Sequence, residues 1–229
     1  MSKERLIVLS LGGSLISKDS GLDVGFLKKF RQFVLNQVKN GHRFIIVVGG
    51  GKTCRRYQQA ARSVTKLADI DVDWLGIKAT HLNASLIKTI FGKLTYPEVI
   101  TDPSKKVNFR QKILIGAGWK PGWSTDFDAV KIAEVYNADL VINLSNVDYV
   151  YDKDPKKFKD AKKFETLSWS DFKKIVGGKW TPGANLPFDP IASKLAAKLK
   201  LQVVIMNGDK LEEINKLLCG KKFVGTSIF

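Results

Sequence analysis

Two segments decide the fold: Arg5 to Ser14, with the sequence RLIVLSLGGS, and Phe44 to Gly51, with the sequence FIIVVGGG. Each begins with a short apolar run rich in β-branched residues, which predicts a strand buried on both faces. Each ends in glycines at the point where a helical pattern follows. A strand, a glycine turn and a helix in this order form the unit from which parallel α/β sheets are built.

The rest of the chain repeats this alternation. Further strands are predicted at 113–115, 140–144, 203–206 and 223–228, and helices at 23–40, 53–63, 73–92, 126–136, 168–176, 189–200 and 211–218. We interpret Asp23, Asp73 and Asp189 as the residues that cap their helices, and Asp126 is a fourth candidate for that role. A Lys-rich stretch at 152–163 and a loop at 177–187 are interpreted as insertions over one edge. The pattern predicts one α/β domain over 1–229 with a mainly parallel sheet.

Composition excludes disordered, collagen-like and transmembrane proteins. Of 229 residues, 44% are hydrophobic and 26% charged, as in ordinary globular domains, and no apolar run approaches the ~20 residues of a membrane span. The first apolar run is too short for a signal peptide, so a cytoplasmic location without membrane association is expected. Two cysteines, Cys54 and Cys219, and two histidines have no spacing that predicts a disulfide framework or a zinc site.

The net charge of +16 is unusual and unevenly distributed. Residues 1–112 carry 20 basic and 8 acidic side chains, whereas residues 113–229 carry 18 and 14. An anionic ligand is therefore expected in the first half of the chain. The basic residues are 31 Lys and only 7 Arg, which disfavours a specific nucleic-acid partner because readers of base edges rely on arginine.

The glycine clusters predict phosphate binding although both standard nucleotide motifs are absent. A P-loop would need glycine where Ile46 stands, and a dinucleotide fingerprint would need it where Pro121 stands. Gly12-Gly13-Ser14 and Gly49-Gly50-Gly51 still expose backbone N–H groups at helix starts, which attract anions. Two such clusters on neighbouring strand ends suit a reaction between two phosphorylated molecules. Alternatively, these glycines only form tight turns.

Charged side chains next to the glycines extend this hypothesis. Arg55 and Arg56 follow the second cluster within one helical turn, and either could bind a phosphate with two parallel hydrogen bonds. Asp126 and Asp189 each begin a predicted helix after a loop and could hold a magnesium–phosphate complex or position a nucleophile, or simply cap the helix. No Ser-His-Asp or Cys-His set can be assembled, which disfavours acyl transfer.

An ordered set of motifs then makes a family resemblance specific. The chain contains LGGS at 11–14, VGGG at 48–51, KPGWSTD at 120–126, NVDYVYDKDP at 146–155, GGGKTCRRY at 49–57, DWLGIKATHLNA at 73–84 and DPIASK at 189–194. From about residue 5 to the C-terminus it resembles the amino-acid kinase superfamily, and within it the UMP kinases of the archaeal branch.

The resemblance implies a fold, an activity and an assembly. The fold is a three-layer αβα sandwich with an acceptor-binding lobe at about 1–138 and an ATP-binding lobe at about 139–229. The implied reaction transfers the γ-phosphoryl group of ATP, with Mg²⁺ as cofactor, to UMP and gives UDP for pyrimidine nucleotide synthesis. The implied oligomer is a homohexamer built as a trimer of dimers.

The resemblance also implies roles for individual residues. Residues expected to bind UMP are Gly50, Gly51 and Arg55 at the phosphate, Asp73 at the ribose and Thr125 at the uracil. Residues expected to bind ATP are Gly12, Gly13 and Ser14 through backbone N–H groups, and Asn146, Tyr151 and Asp154 along the nucleotide. Residues expected to act in phosphoryl transfer are Asp189, Asp126 and Lys194.

Two departures from the superfamily pattern bear on activity. Many members carry a lysine two residues before the first glycine pair, where this chain has Ser10. Either Lys18, Lys52 or Lys194 replaces that charge, or activity is reduced. Members usually have glycine after Asn-Val-Asp, where this chain has Tyr149. If that turn requires a positive φ, the tyrosine is strained and the nucleotide loop is reshaped.

Two alternatives therefore stay open at the level of sequence. The first is a kinase of the same superfamily that phosphorylates another small phosphate or a carboxylate. Arg55, Asp73 and Thr125 argue against it, since such an acceptor needs no ribose or uracil contacts. The second is a catalytically weak member that binds nucleotides or nucleic acid, which Ser10, Tyr149 and the +16 charge favour.

Overall fold

The computed structural model describes residues 5–155, 157–177 and 186–229, and in these ranges one large sheet is covered by helices on both faces. The helices are α1 Gly13–Ile16, α2 Val24–Lys39, α3 Gly51–Val64, α4 Asp69–Phe91, α5 Thr125–Tyr136, α6 Trp169–Val176, α7 Pro190–Lys198 and α8 Leu211–Leu218, with a 3₁₀ turn at Gly92–Leu94. The strands are β1 Leu6–Leu11, β2 Ser17–Lys18, β3 Gly21–Leu22, β4 Arg43–Val48, β5 Thr95–Ile100, β6 Ile113–Gly116, β7 Leu140–Ser145, β8 Val150–Tyr151, β9 Lys163–Phe164, β10 Thr166–Leu167, β11 Gln202–Asn207 and β12 Thr226–Ile228.

The main sheet has the strand order β10-β12-β11-β7-β1-β4-β6-β5. All its neighbouring strands run parallel except β11 and β12. The central strand β1 pairs with β4 on one side and with β7 on the other. The strands that follow β1 are therefore added first on one side of it and, from β7 on, on the other side. Open parallel sheets bind ligands beyond the carboxyl ends of strands at such a point.

Side chains alternate between two cores, one on each face of the sheet. In β1, Ile7, Leu9 and Leu11 join the core under α1, α2, α4 and α8, whereas Val8 joins the core under α5, α6 and α7. Full burial of each such aliphatic side chain contributes ~1.5–3 kcal/mol. The structure thus confirms the three-layer αβα sandwich. The same alternation directs Ser10, the residue after Leu9, towards the face of the sheet that α5 covers.

Two of the four predicted helix caps are confirmed and two are wrong. The carboxylate of Asp23 accepts the Phe26 N–H at 2.8 Å, and that of Asp189 accepts the N–H groups of the first turn of α7. Asp73 is not a cap, because α4 already begins at Asp69 and Asp73 lies inside it. Asp126 is not a cap either, since the hydroxyl of Ser124 accepts the Phe127 N–H at 3.2 Å. The carboxylate of Asp126 is therefore free for another role.

The strand β5 was missed by the sequence reasoning. Its residues alternate weakly and include Pro97, which removes a backbone donor. Proline is tolerated here because β5 lies at the edge of the sheet, and its pairing with β6 is interrupted between Thr95 and Val99. The Lys-rich stretch predicted at 152–163 is bracketed by the antiparallel pair β8 and β9, outside the main sheet. Most of the loop predicted at 177–187 lies outside the described residues.

The backbone at Tyr149 is unstrained. Within the described ranges, the non-glycine residues with positive φ are Asn137 and Lys200. The condition under which Tyr149 would be strained, a turn that requires a positive φ, is therefore not met. Its ring instead meets the Tyr151 ring edge-on, and the Lys163 ammonium lies 4.4 Å from its centroid. The tyrosine at this position packs as part of the β8–β9 hairpin and does not distort it.

Candidate active site

The two glycine clusters interlock at the carboxyl ends of β1 and β4. A methyl group on Gly13 would lie 2.2 Å from the backbone nitrogen of Gly51, and one on Gly51 would lie 2.1 Å from the carbonyl oxygen of Gly13. Gly51 also has a φ of +59°, which disfavours any side chain. These glycines are thus required because two backbone turns cross with no space for a Cβ atom.

Asn83 holds the second glycine cluster in place. Its amide nitrogen, buried on α4, donates to the carbonyl oxygens of Gly49 at 2.9 Å and Gly50 at 3.1 Å. Buried carbonyl groups need such partners, because leaving one unpaired costs ~1–3 kcal/mol. Sequence reasoning did not assign a role to Asn83. The available signal was a polar residue on the helix face that Ile87 also occupies, one turn further along the core.

A cavity of about 560 Å³ opens between α3, α4 and the loop before α5, and we call it the α3–α4 cavity. All the residues predicted to bind the acceptor line it, namely Gly50, Gly51, Arg55, Asp73 and Thr125. Arg56 does not line it and instead donates to the backbone carbonyl groups of Lys18 and Asp19. Of the two neighbouring arginines, Arg55 is therefore the one placed to meet a ligand in this cavity.

One wall of the α3–α4 cavity is formed by the loop from Gly118 to Ser124. Its Gly118 N–H donates to the Thr80 hydroxyl at 2.8 Å, and its Gly122 N–H donates to the Asp73 carboxylate at 3.1 Å. Trp123 lines the cavity while its ring stacks 4.0 Å, between centroids, from that of Phe127. Asp73 thus faces the cavity and also fixes its wall.

A second cavity of about 300 Å³ lies beyond the carboxyl end of β7, against the hairpin β8–β9, and we call it the β7–β8 cavity. The predicted ATP residues Asn146, Tyr151 and Asp154 line it together with Ser145 and Tyr149. The structure therefore gathers these three residues at one opening, separate from the α3–α4 cavity.

The glycine pair Gly12-Gly13 lies between the two cavities. A methyl group on Gly12 would meet the carbonyl oxygen of Leu144 at 2.7 Å and Ser145 beyond it, whereas Gly13 contacts the Gly50–Gly51 turn. The pair thus touches a wall of each cavity. One part of the prediction here is wrong: the Gly12 N–H donates to the Leu144 carbonyl at 2.9 Å and is not available to a phosphate. Gly13 and Ser14 begin α1, so their N–H groups have no partner within the helix.

A buried carboxylate cluster lies behind these walls. Asp126 Oδ1 accepts the Ser10 hydroxyl and the Asn143 amide, each at 2.9 Å, and its Oδ2 accepts the Asp189 N–H at 3.3 Å. Burial raises the pKa of Asp126 to about 6, and the neighbouring Asp189 adds to the rise, while the Ser10 hydrogen bond opposes it. Asn143 was missed by the sequence reasoning, although a lone amide within an apolar strand was a visible signal.

Asp128 is a second buried carboxyl group on α5. Its Oδ2 accepts the Trp119 N–H at 3.2 Å, and its Oδ1 has no hydrogen-bond partner among the described residues. Burial raises its pKa to about 8. Asp128 is therefore mostly protonated at neutral pH, and it anchors the loop that forms one wall of the α3–α4 cavity.

The three lysines considered as replacements for a charge at Ser10 are in different places. Lys194 is exposed and lines a separate cavity with Trp169 and Lys173, so the structure does not bring it to Asp126 and Asp189. Lys18 pairs with Asp23 at 2.6 Å, and Lys52 pairs with Asp19 at 2.8 Å. Both flank the glycine clusters, because β2 follows α1 directly and Lys52 lies in the first turn of α3.

This arrangement can bring two anionic ligands together. Each cavity opens at the carboxyl edge of the sheet, the interlocked glycines lie between them, and a partly protonated carboxyl cluster lies behind. Backbone N–H groups and Arg55 supply positive charge in and around the α3–α4 cavity. The described helices include none that is long and apolar enough to cross a membrane.

Comparison with known proteins identifies the relatives of this chain. The profile of the Amino acid kinase family matches residues 5–207. The chain is 32% identical to a uridylate kinase of Sulfolobus acidocaldarius, with 97% of this chain and 98% of that protein covered. It is 34% identical to a uridylate kinase of Methanocaldococcus jannaschii, with 91% and 93% covered. The crystal structure of uridylate kinase from Archaeoglobus fulgidus matches with a TM-score of 0.83, 32% identity and coverage of 97% and 99%.

Proposed function

The chain belongs to the amino acid kinase family, and we propose that it is a UMP kinase that transfers the γ-phosphoryl group of ATP to UMP, giving UDP for pyrimidine nucleotide synthesis. One observation carries the proposal: the residues expected at the phosphate, ribose and base of UMP line a single cavity. An acceptor without ribose or uracil would have no use for Asp73 and Thr125 in this cavity.

We place the acceptor in the α3–α4 cavity. Arg55 and the backbone of Gly50 and Gly51 bind the phosphate, because a guanidinium and backbone N–H groups at a helix start both favour anions. Asp73 binds the ribose hydroxyl groups, and Thr125 contacts the uracil. Burying these polar groups against matching partners gives specificity, since an analogue that leaves them unpaired is disfavoured.

We place ATP in the β7–β8 cavity, with Asn146, Tyr151 and Asp154 along the nucleotide and the N–H groups of Gly13 and Ser14 at its phosphates. ATP is bound as its magnesium complex. Among the described residues no group of three or more His, Cys, Asp or Glu is arranged to hold a metal. That composition fits Mg²⁺, which is usually held by phosphates and water with one or two carboxylates.

The chain's contribution to transfer is then positioning and charge. Phosphoryl transfer needs the acceptor oxygen in line with the γ-phosphorus and donors near the developing charge. The UMP phosphate is already an anionic nucleophile, so no general base is required. Asp189 and Asp126 organise the transfer site from behind the glycines, with Asp126 held by Ser10 and Asn143. The hydrogen bonds from Ser10 and Asn143 hold the Asp126 carboxylate in place while two more anions approach.

Lys18 and Lys52 replace the lysine missing at Ser10. Lys18 is 48% exposed and pairs with the largely covered Asp23, and Lys52 is 38% exposed and pairs with the exposed Asp19. Surface ion pairs of this kind contribute only ~0–1 kcal/mol, so a phosphate can compete for either lysine. Lys194 lines a separate cavity, which favours Lys18 and Lys52 over it for this role.

We further propose an assembly and a division of labour. The enzyme is a cytoplasmic homohexamer built as a trimer of dimers, with residues 1–138 binding the acceptor and 139–229 binding ATP. Helices α3 and α4 support the dimer, because α3 has no buried residue and the two helices expose Tyr57, Val64, Ile70, Trp74 and Leu82. A second copy packed against this face would cover them.

A coupled assay of ADP release tests the activity. The purified full chain with MgATP is offered UMP, CMP, AMP, GMP and small phosphorylated or carboxylic acceptors. UMP is expected to give the highest kcat/KM. Turnover of a non-nucleotide acceptor with none of UMP would refute the proposal, as would salt-dependent nucleic-acid binding with no kinase activity.

A pair of variants tests the placement of the acceptor. Arg55→Gln is expected to raise KM for UMP by roughly tenfold or more and to leave KM for ATP unchanged, since about that factor follows from one lost charge-assisted hydrogen bond. Arg56→Gln is the matched control: it removes the same charge from the next residue, which does not line the α3–α4 cavity. Equal effects of both changes would contradict the placement of UMP.

A further inference from the structure

Two tyrosine rings form an aromatic corner in the β7–β8 cavity. Tyr149 and Tyr151 both line this cavity, with ring centroids 6.5 Å apart and ring planes at 90°. Both residues are only partly buried, so their rings can meet a ligand. The ATP contacts proposed above use Tyr151 but not Tyr149, which stands where the superfamily usually has glycine. The second ring is therefore a feature of this chain that the proposed function does not yet use.

Lys163 holds the Tyr149 ring from outside the cavity. Its ammonium lies 4.4 Å from the centroid of that ring and is also paired with Glu165 at 3.2 Å. A cation is attracted to the face of an aromatic ring because the π electrons make that face negative. Lys163 does not line the cavity, so it contacts the ring without occupying the opening. The Tyr149 ring is thus supported on one side and accessible from the cavity.

The hairpin that carries the corner is fixed to the main sheet. Val150 of β8 is buried, and its N–H donates to the Thr226 hydroxyl of β12 at 2.9 Å. Tyr151 pairs across the hairpin with Lys163, the residue that contacts Tyr149. The corner is therefore ordered before any ligand enters, which lowers the entropy cost of binding.

The corner lies on the hairpin, whereas the start of the cavity adjoins the glycine pair. Ser145 ends β7 and lines the cavity, and its Cα would lie 3.8 Å from a methyl group on Gly12. Tyr149 and Tyr151 follow on the β8–β9 hairpin, outside the main sheet. With the phosphates of ATP at the start of α1, as proposed above, the hairpin is the part of the cavity left for the base.

We propose that Tyr149 determines donor specificity because the purine base of the nucleoside triphosphate stacks on its ring, a proposal that rests on the placement of ATP given above. Stacking requires a flat, accessible ring that is held in place, as Tyr149 is. The perpendicular Tyr151 ring then meets the base edge to face, the other favoured geometry of aromatic pairs. Ile175 and Leu186 line the same cavity, and their apolar surface suits a base better than a phosphate.

A stacking contact discriminates by the area of the base and not by its hydrogen-bonding edge. The two fused rings of a purine cover more of the Tyr149 ring than the single ring of a pyrimidine does. Adenine and guanine cover it about equally, because each has the same fused ring system. Tyr149 should consequently favour ATP and GTP over CTP without distinguishing ATP from GTP. The hydroxyl group of Tyr149 has no part in this contact, so phenylalanine should serve as well.

Steady-state kinetics of the full chain with UMP as acceptor test the proposal. In Tyr149→Ala, KM for ATP and for GTP should rise roughly tenfold, as expected when one stacking aromatic side chain is truncated. The preference in kcat/KM for ATP over CTP should fall roughly threefold or more, because CTP loses the smaller contact. KM for UMP should stay unchanged. Tyr149→Phe is the matched control, since it keeps the ring, and its KM for ATP should equal that of the parent.

The donor panel also separates stacking from a structural role of the ring. A hairpin disturbed by the loss of the side chain would weaken ATP and CTP by the same factor. Equal losses for the two donors in Tyr149→Ala would therefore overturn the proposal. A loss in Tyr149→Phe as large as in Tyr149→Ala would also overturn it, because the hydroxyl group and not the ring would then be the contact.

Asn146→Ala distinguishes failure of this inference from failure of the proposed function. Asn146 lines the same cavity and is expected to contact ATP. If Asn146→Ala raises KM for ATP and Tyr149→Ala does not, ATP binds in the β7–β8 cavity but its base does not stack on Tyr149, which overturns the inference alone. If neither variant changes KM for ATP, the donor binds elsewhere, and the proposed placement of ATP fails together with the inference.

Discussion

Replacing Asp128 with asparagine should make the protein more stable relative to the unchanged chain as the pH rises. Asp128 is fully buried on α5, and burial raises its pKa from 3.8 to about 8. Asparagine has the same shape and keeps an oxygen to accept the Trp119 N–H, but it cannot ionise. The variant therefore isolates the effect of the buried charge.

The sign follows from proton binding. Between pH 4 and pH 8 the folded state keeps the Asp128 proton while the unfolded chain has lost it, so the free energy of unfolding falls as pH rises. The fall is about 1.4 kcal/mol per pH unit from this one group. From pH 5 to pH 8 the difference between variant and parent should change by on the order of 4 kcal/mol in favour of Asp128→Asn. Any fixed cost of the asparagine NH₂ group is independent of pH and drops out of this change.

Urea unfolding followed by circular dichroism at pH 5, 6, 7 and 8 measures the difference. Asp102→Asn is the control: hydrogen bonds from Ser104 hold the pKa of Asp102 below its ordinary value, so its ionisation affects stability only below about pH 4. Its curve should stay parallel to that of the parent over the same range. A flat difference for Asp128→Asn, within about 1 kcal/mol, would show that Asp128 is charged in the folded protein and would refute the reasoning.

Three further changes test the site. Gly13→Ala should destabilise the fold by ~3 kcal/mol or more, because its methyl group would lie 2.2 Å from the backbone nitrogen of Gly51. Gly122→Ala should cost only ~1 kcal/mol, because Gly122 lies in open space and only its φ of +82° disfavours a side chain. Thermal unfolding of the two variants measures the difference. Ser10→Ala should shift the acid limb of the kcat–pH profile to higher pH by ~1 unit, because Asp126 loses a hydrogen-bond donor that lowers its pKa. An unchanged acid limb would show that protonation of Asp126 does not cause the loss of activity at low pH. Asn83→Leu should raise KM for UMP and cost ~2–3 kcal/mol in urea, because two glycine carbonyls lose their donor; an unchanged KM would contradict its role.

The sequence predicted the architecture because the apolar runs, the glycines after them and the helical patterns that follow all indicate the same parallel α/β fold. The runs that became β1 and β4 are apolar except for Ser10 and Arg43, as is typical of strands buried on both faces, and each is followed by glycine and a helix. The strand β5 escaped because an edge strand buries only part of its surface and tolerates Pro97. The caps at Asp73 and Asp126 were wrong for a different reason: aspartate before an apolar run is typical of a cap, but tertiary contacts used these two carboxylates elsewhere.

Some of the predicted site residues are brought together by the structure, whereas others are not. The residues predicted to bind the acceptor come together because the turn after β4, the first turns of α3 and α4 and the start of α5 all border one cavity. These residues are Gly50, Gly51, Arg55, Asp73 and Thr125. Lys194 does not join Asp189, although both belong to one motif, because it lies five positions later, about 1.4 turns along the helix, and so leaves α7 on a different side. Asn83 and Asn143 stood out as polar residues on apolar elements, but their roles could not be predicted because these depend on which backbone or carboxylate faces them.

The structure also indicates a role for Ser10, which stands where many members of the superfamily have lysine. A lysine there would lie on the same strand face and meet the buried Asp126, where it would form an ion pair that must be desolvated. Serine satisfies the same carboxylate oxygen at 2.9 Å with a neutral donor and leaves Asp126 with a pKa of about 6. On our proposal the positive charge is supplied instead from the surface, where Lys18 and Lys52 flank the interlocked glycines. A surface lysine can follow a phosphate as it is transferred, whereas a buried one would stay with its carboxylate, so the proposed effect of the substitution is to relocate the charge without removing it.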